Sequence, residues 1–195
     1  MATTNLFVEL IVIGAGAICW LTLVILGLFG IDSFPIESAA TYPVLVTLLP
    51  LVYLLGIISD RVADFAFDKL FSRPLRVRYF SETRNYQDAR RLVLSSSGRL
   101  ADMHEYGRIR IRICRGWSLN ALLIAAALQF WLRRAAVNSH WRQTAAIWGT
   151  AGCVLLAVAS WWSWYMLCSM EYLKIREHAD FLRRTADLDT LRPAA

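Results

Sequence analysis

From residue 6 to residue 30 the chain carries a single charged side chain, Glu9, in an otherwise apolar run. At about 1.5 Å per residue, a helix of that length crosses a hydrocarbon core of roughly 30 Å. Lipid offers no water to satisfy peptide groups, so such a run is confined to a helix, which closes its own hydrogen bonds. Three further apolar runs, at 39–58, 117–132 and 145–168, repeat the constraint. They account for the composition, in which 57 % of the 195 residues are hydrophobic and 18 % charged. An ordinary soluble domain carries about 25 % charged residues. The sequence therefore predicts an all-α integral membrane protein with four transmembrane helices as two hairpins. A helical cytoplasmic segment, 59–116, lies between the hairpins, and a C-terminal cytoplasmic helix occupies the tail, 169–195. The whole forms one membrane domain.

Charge sets the orientation. Segment 59–116 holds thirteen Lys/Arg against seven Asp/Glu, a net +6 that equals the formal charge of the whole chain. The tail adds five basic residues, whereas the connections 31–38 and 133–142 hold three between them, all in the second. Basic residues collect on the cytoplasmic side, so both termini are expected inside an inner (plasma) membrane, with anionic lipid headgroups as partners. The pI near 9.5 is explained in this way and needs no nucleic-acid partner. The first run lacks the basic leader and short apolar centre of a signal peptide, which predicts a retained helix. Glu9, within one turn of the start of that run, is expected at the interface and hydrated.

Local signals divide the central segment. Pro50 is expected to kink the second span, and Pro74 to end the helix that continues beyond it. Residues 83–94 read as a short helix capped by Ser81 or Thr83, with Tyr86, Ala89 and Val93 on one side. Ser95-Ser96-Ser97-Gly98 is a break. Beyond it a helical pattern resumes and runs toward the third span, with Gly107 as its weak point.

Two charge stripes stand out. Asp60, Asp64 and Asp68 recur at i, i+4 and i+8, and Arg108, Arg112 and Arg115 share one helix face. The Arg stripe has three readings: snorkelling to headgroups, pairing with the Asp stripe, or holding a phosphate or nucleotide. In antiparallel register the pairing reading joins Asp60 to Arg115, Asp64 to Arg112 and Asp68 to Arg108, an ion-pair collar. Ala145, Gly149, Cys153 and Ala157 form a small-residue stripe for helix packing, which points to a homo-oligomer. Trp117, Trp161, Trp162 and Trp164 are expected at the lipid interface, with Trp141 and Trp148 at the opposite end of the fourth span.

Groups that carry chemistry are sparse. Cys19, Cys114, Cys153 and Cys168 have no metal or redox spacing, and His104, His140 and His178 form no metal motif. Within the spans the polar groups are hydroxyls, Asn120, Gln129 and Glu9. No buried acid–base pair is expected, and with it no enzyme, metal or cofactor. The pattern Tyr106-x-Arg108-x-Arg110 ahead of a Trp117-containing span, with a helical tail after a Trp-rich one, resembles SLATT-type bacterial membrane effectors over roughly 101–182. The N-terminal pair of spans is an addition to that plan. The resemblance implies oligomeric, pore-like assemblies that act in defence systems. The function expected is a homo-oligomeric membrane effector or channel-like protein gated through its cytoplasmic segment. The alternative is a membrane anchor or scaffold that binds a soluble cytoplasmic partner through 81–106 and the C-terminal helix.

Overall fold

The computed structural model describes the backbone of residues 2–29, 42–134 and 139–191 and the side chains of 6–29, 48–134 and 143–185. Within these limits every residue is helical except Phe80, Ser81, Glu82 and Ser97, and there is no strand. The elements are α1 (Ala2–Phe29), α2 (Tyr42–Phe67), a π turn (Asp68–Ser72), α3 (Arg73–Tyr79), α4 (Thr83–Ser96), α5 (Gly98–Arg134) and α6 (Ser139–Leu191). Three apolar stretches among the described residues are long enough to cross a membrane: Leu6–Phe29, Gly98–Arg134 and Gln143–Thr185. The connection 31–38, residues 39–41 of the expected second span, residues 135–138 and the side chain of Trp141 lie outside the described residues.

The helices ignore several expected stops. Helix α2 contains Pro50 and continues past its apolar part through Asp60, Arg61 and Asp64. Pro74 does not end the path. The backbone first widens into the π turn, and Pro74 then falls in the first turn of α3, where its missing N–H leaves no bond unmade. The stop comes at Phe80, whose backbone is extended at φ −130°, ψ 125°. No side chain caps α4; the Ser81 hydroxyl instead accepts a hydrogen bond from Asn85 Nδ2 at 3.1 Å. The serine break shrinks to Ser97 alone, extended at φ −160°, ψ 132°. Gly107 leaves α5 intact over 37 residues, since one interior glycine costs only about 1 kcal/mol.

The chain forms two units, Met1–Phe65 with Arg112–Ser163, and Ala66–Ile111 with Trp164–Ala195. In the first, α1 and α2 touch backbone to backbone. A Cβ on Gly14 would lie 1.9 Å from the Val52 carbonyl oxygen, and one on Gly56 would lie 2.0 Å from that of Leu10. Rising numbers on α1 meet falling numbers on α2, so the two are antiparallel. Helix α5 runs parallel to α1, with Ile13 against Gly116 and Gly27 against Phe130. It runs antiparallel to α6, with Leu128 against Gly149 and Ser118 bonded to the Ala157 carbonyl.

In the second unit, Leu75 of α3, Ala89 and Val93 of α4, and Tyr172, Ile175 and Ala179 of α6 are buried. Phe80, Tyr86 and Tyr172 meet edge to face, with ring centroids 5.3–6.5 Å apart. Arg76 lies over the Tyr86 ring at 5.4 Å.

The contact at Gly14 gives a direct check. Gly14→Ala places a methyl inside a backbone contact and is expected to destabilise the protein by about 1–3 kcal/mol or more. A Cβ on Gly152 meets nothing within 4 Å, so Gly152→Ala should be neutral or stabilise by up to about 1 kcal/mol. Thermal unfolding in detergent compares the two; equal effects would show that the α1–α2 contact is looser than described.

Candidate functional site

The first unit gathers charge at one place. Helix α1 supplies Glu9, one residue before Leu10, whose carbonyl abuts Gly56. Helix α2 supplies Ser59, Asp60 and Asp64, starting less than one turn after Gly56. Helix α5 supplies Arg112, Arg115 and Asn120, on the face that packs Gly116 against Ile13. The side chain of Glu9 is fully buried, Asp60 is 5 % exposed and Arg115 10 %, whereas Arg112 is 26 % and Asp64 51 % exposed.

Arg115 is the hub. Its Nη2 donates to Asp60 Oδ1 at 2.8 Å and its Nη1 to Asp64 Oδ1. One planar guanidinium fork thus spans two carboxylates a helical turn apart, which a lysine ammonium would not match. Arg112 Nη1 reaches Glu9 Oε1 at 3.5 Å, the outer edge of a hydrogen bond. Beside them the Ser59 hydroxyl donates to Asn120 Oδ1 at 2.9 Å, and Asn120 Nδ2 donates to the Ile13 carbonyl at 2.8 Å. Glu9 Oε2 and Arg115 Nε are buried without a partner.

This geometry corrects three expectations. Glu9 is not hydrated, because α2 and α5 close over it. A buried set of acids and bases does exist; it was hidden because its members come from three helices. The expected ladder is also rearranged. Asp60 and Arg115 meet, but Arg115 takes Asp64 as well, and Arg112 turns to Glu9. Asp68 opens the π turn and pairs with Arg73 at 3.6 Å and Arg76 at 3.3 Å, in the second unit. Arg108 lies exposed on α5 in that unit. Equal rises per turn kept the two stripes level, but helix rotation and the presence of α1 chose the partners.

The small-residue stripe packs within the chain. A Cβ on Gly149 would lie 2.7 Å from Leu128 Cδ2, and buried Ala157 accepts its bond from Ser118 at 3.2 Å. Ala145 and Cys153 are half-buried. Trp117 and Trp161 are half-buried and Trp162 is exposed. Trp164 departs from the interface pattern: it is 1 % exposed and stands edge-on to Phe67, with centroids 4.9 Å apart. It is a core residue of the second unit. The sequence held a signal for this in the 4, 4, 3, 4 spacing from Trp164 through Cys168, Tyr172, Ile175 and Ala179, a helical core stripe.

The second unit holds a pair that sequence reasoning missed, because 67 residues separate its members. Buried His104 bonds through Nδ1 to Glu171 Oε1. Gly107 makes room for that carboxylate, since a Cβ there would lie 2.9 Å from Glu171 Oε2. The His178 ring stands nearly perpendicular to His104, with centroids 5.9 Å apart. Nearby, burial pushes the Tyr86 phenol above its ordinary pKa. A groove of about 520 Å³ is lined by Phe80, Ser81, Asn85, Arg176, Asp180 and Arg183, among others. Among the described residues no three His, Cys, Asp or Glu side chains are placed to hold a metal ion. No protein-family model, curated protein or solved structure matches this chain.

The hub can be tested by removal. Arg115→Ala leaves Asp60 buried without its partner and is expected to destabilise the protein by about 3–5 kcal/mol. Arg110→Ala removes only an exposed side chain 5.9 Å above the Tyr106 ring and should cost about 1 kcal/mol or less. Arg115→Lys should recover only part of the loss. Unfolding in detergent measures all three; an Arg115→Ala protein as stable as Arg110→Ala would remove Arg115 from its central role.

Proposed function

We propose that this chain is a four-span membrane protein, N-in and C-in in a bacterial inner membrane, acting as a non-enzymatic, channel-like effector gated through its cytoplasmic segment. The observation that carries this reading is the cluster of buried Glu9, Asp60 and Arg115 with the more exposed Asp64 and Arg112. Ionisable groups among membrane-crossing helices are expensive to bury and mark ion paths, proton relays or sensors. No single span has a polar face, but three helices together build one, continued by Ser59 and Asn120.

Two arguments support α2 as a span beside the three apolar stretches. Residues 52–56 lie in backbone contact with residues 10–14 of an apolar membrane-length stretch, so they share its depth. The antiparallel order of α1 with α2 and of α5 with α6 suits two hairpins. Helix α5 runs unbroken from Gly98 through Arg112 and Arg115, so a displacement of its first turns would act directly on both guanidinium pairings. That is the proposed gate. Assembly from several copies, with anionic lipids around them, is proposed from the SLATT-like pattern, because the Gly149 stripe is already used inside the chain. A second reading, an anchor for a soluble cytoplasmic partner, is favoured by the groove beside Arg176 and Arg183.

Two measurements decide. With Cys19, Cys114, Cys153 and Cys168 replaced by Ala or Ser, an introduced Phe34→Cys should react with an impermeant thiol reagent added outside, and Ser96→Cys should not; the reverse pattern inverts the topology. In liposomes, Arg112→Ala should raise ion flux several-fold over the unchanged chain by loosening the cluster. Absence of flux from both proteins, and from Asp60→Asn, would leave the anchor reading in its place.

A further inference from the structure

We propose that Glu9 is a proton-binding site, holding an exchangeable H⁺ on Oε2 within the membrane. The inference deepens the channel-like reading by naming the ion, but its geometric basis is independent of whether the protein conducts.

The cluster sets three carboxylates against two guanidiniums. Both terminal nitrogens of Arg115 are used, one on Asp60 and one on Asp64. That leaves Arg112 for Glu9, at 3.5 Å and through one oxygen only. The charged groups acting on Glu9 are Arg112 and Arg115 from α5 and Asp60 from α2. With all three acids ionised the cluster carries one uncompensated negative charge, and the Glu9 side chain has no exposure through which solvent could screen it. A single proton removes it.

The contacts select which acid takes the proton. Asp60 is held by a 2.8 Å charge-assisted bond, and Asp64 is bonded to the same arginine and half exposed to solvent. Glu9 has the longest contact, no side-chain exposure and an oxygen with no partner at all. Protonating the acid that accepts the weakest charge-assisted bond forfeits least, and it relieves the largest desolvation penalty. The ligand class follows from the same contacts. A metal cation needs several converging oxygens, and Asp60 and Asp64 each already commit one to Arg115. A proton needs only one oxygen.

The step is a plain acid dissociation: the O–H bond of Glu9 breaks, the electron pair stays on Oε2, and H⁺ passes to water on the partly exposed Arg112 side. The Glu9 carboxylate then draws Arg112 inward and repels Asp60. The first change acts on the α1–α5 contact beside Ile13 and Gly116, the second on the α1–α2 contact beside Leu10 and Gly56. Protonation and helix packing are thereby coupled.

Infrared difference spectra of the full chain in nanodiscs, recorded as pH is stepped from acid to alkaline, read the proton directly. The expected result is a protonated-carboxyl C=O band that vanishes at alkaline pH, shifts in D₂O, is absent in Glu9→Gln and persists in Asp64→Asn. Glu9→Asp, which keeps a carboxyl, should show the band at a shifted position, so the test survives if Glu9→Gln folds poorly. An unchanged band in Glu9→Gln, or no band in the unchanged protein at any pH, overturns the proposal. Proton flux in liposomes is read separately. Flux with no Glu9 band leaves a channel without this site, and a Glu9 band without flux leaves a proton site in a protein that does not conduct.

Discussion

The contact of α1 with α2 at Gly14 and Gly56 is the constraint on which the charged site depends. Neither position tolerates a Cβ, because a carbonyl oxygen of the opposite helix already lies about 2 Å from where it would sit. Attraction between apolar surfaces gives little drive inside lipid, so helices associate through close packing, and small residues permit it. The same contact sets the register that brings Glu9 beside Asp60. Helix α5 then fits along both, its Gly116 facing Ile13 and its Asn120 facing Gly16. A bulkier residue at either glycine would move Glu9 away from Asp60 and disturb the arginines bonded to them.

Burying that cluster is not an economical way to stabilise a helix bundle. Each ion loses several kcal/mol of hydration, and apolar replacements of similar volume are often as stable or more so. The Arg115 fork limits the penalty by satisfying two acids from one planar group. Arg112 and Glu9 are matched less well: their contact is long and one carboxylate oxygen is left over. The imperfect half of the cluster is where the proposed protonation of Glu9 and the proposed movement of α5 would act. The well-paired half fixes α5 against α2.

The second unit is held by side-chain packing. Amphipathic helices bury small and aromatic residues, Phe80, Tyr86 and Tyr172 interlock, and His104 meets Glu171 across space that Gly107 leaves free. Trp164 belongs to this core although it lies in a Trp-rich stretch that reads as a lipid belt. Composition could not separate the roles of Trp161, Trp162 and Trp164, because a belt and a core draw on the same residue type. The helical spacing from Trp164 to Ala179 was the signal that could have separated them.

The helical class, three of the four expected apolar stretches and the excess of basic residues in 59–116 were legible in the residues alone. Backbone hydrogen bonding in lipid and the helical period are local constraints, so short windows of sequence reveal them. Breakpoints were less legible. Pro74 reads as a stop only when the turn before it is assumed to be an α turn, and the π turn at Asp68–Ser72 removed that assumption. What tertiary structure alone decided was partnership beyond the expected Asp60–Arg115 pair: Arg112 with Glu9, Arg115 with Asp64 as well, Ser59 with Asn120, and His104 with Glu171. These residues lie 51 to 103 positions apart. Their meeting depends on helix rotation and on which glycines let backbones touch, and neither is contained in the pattern of any one helix.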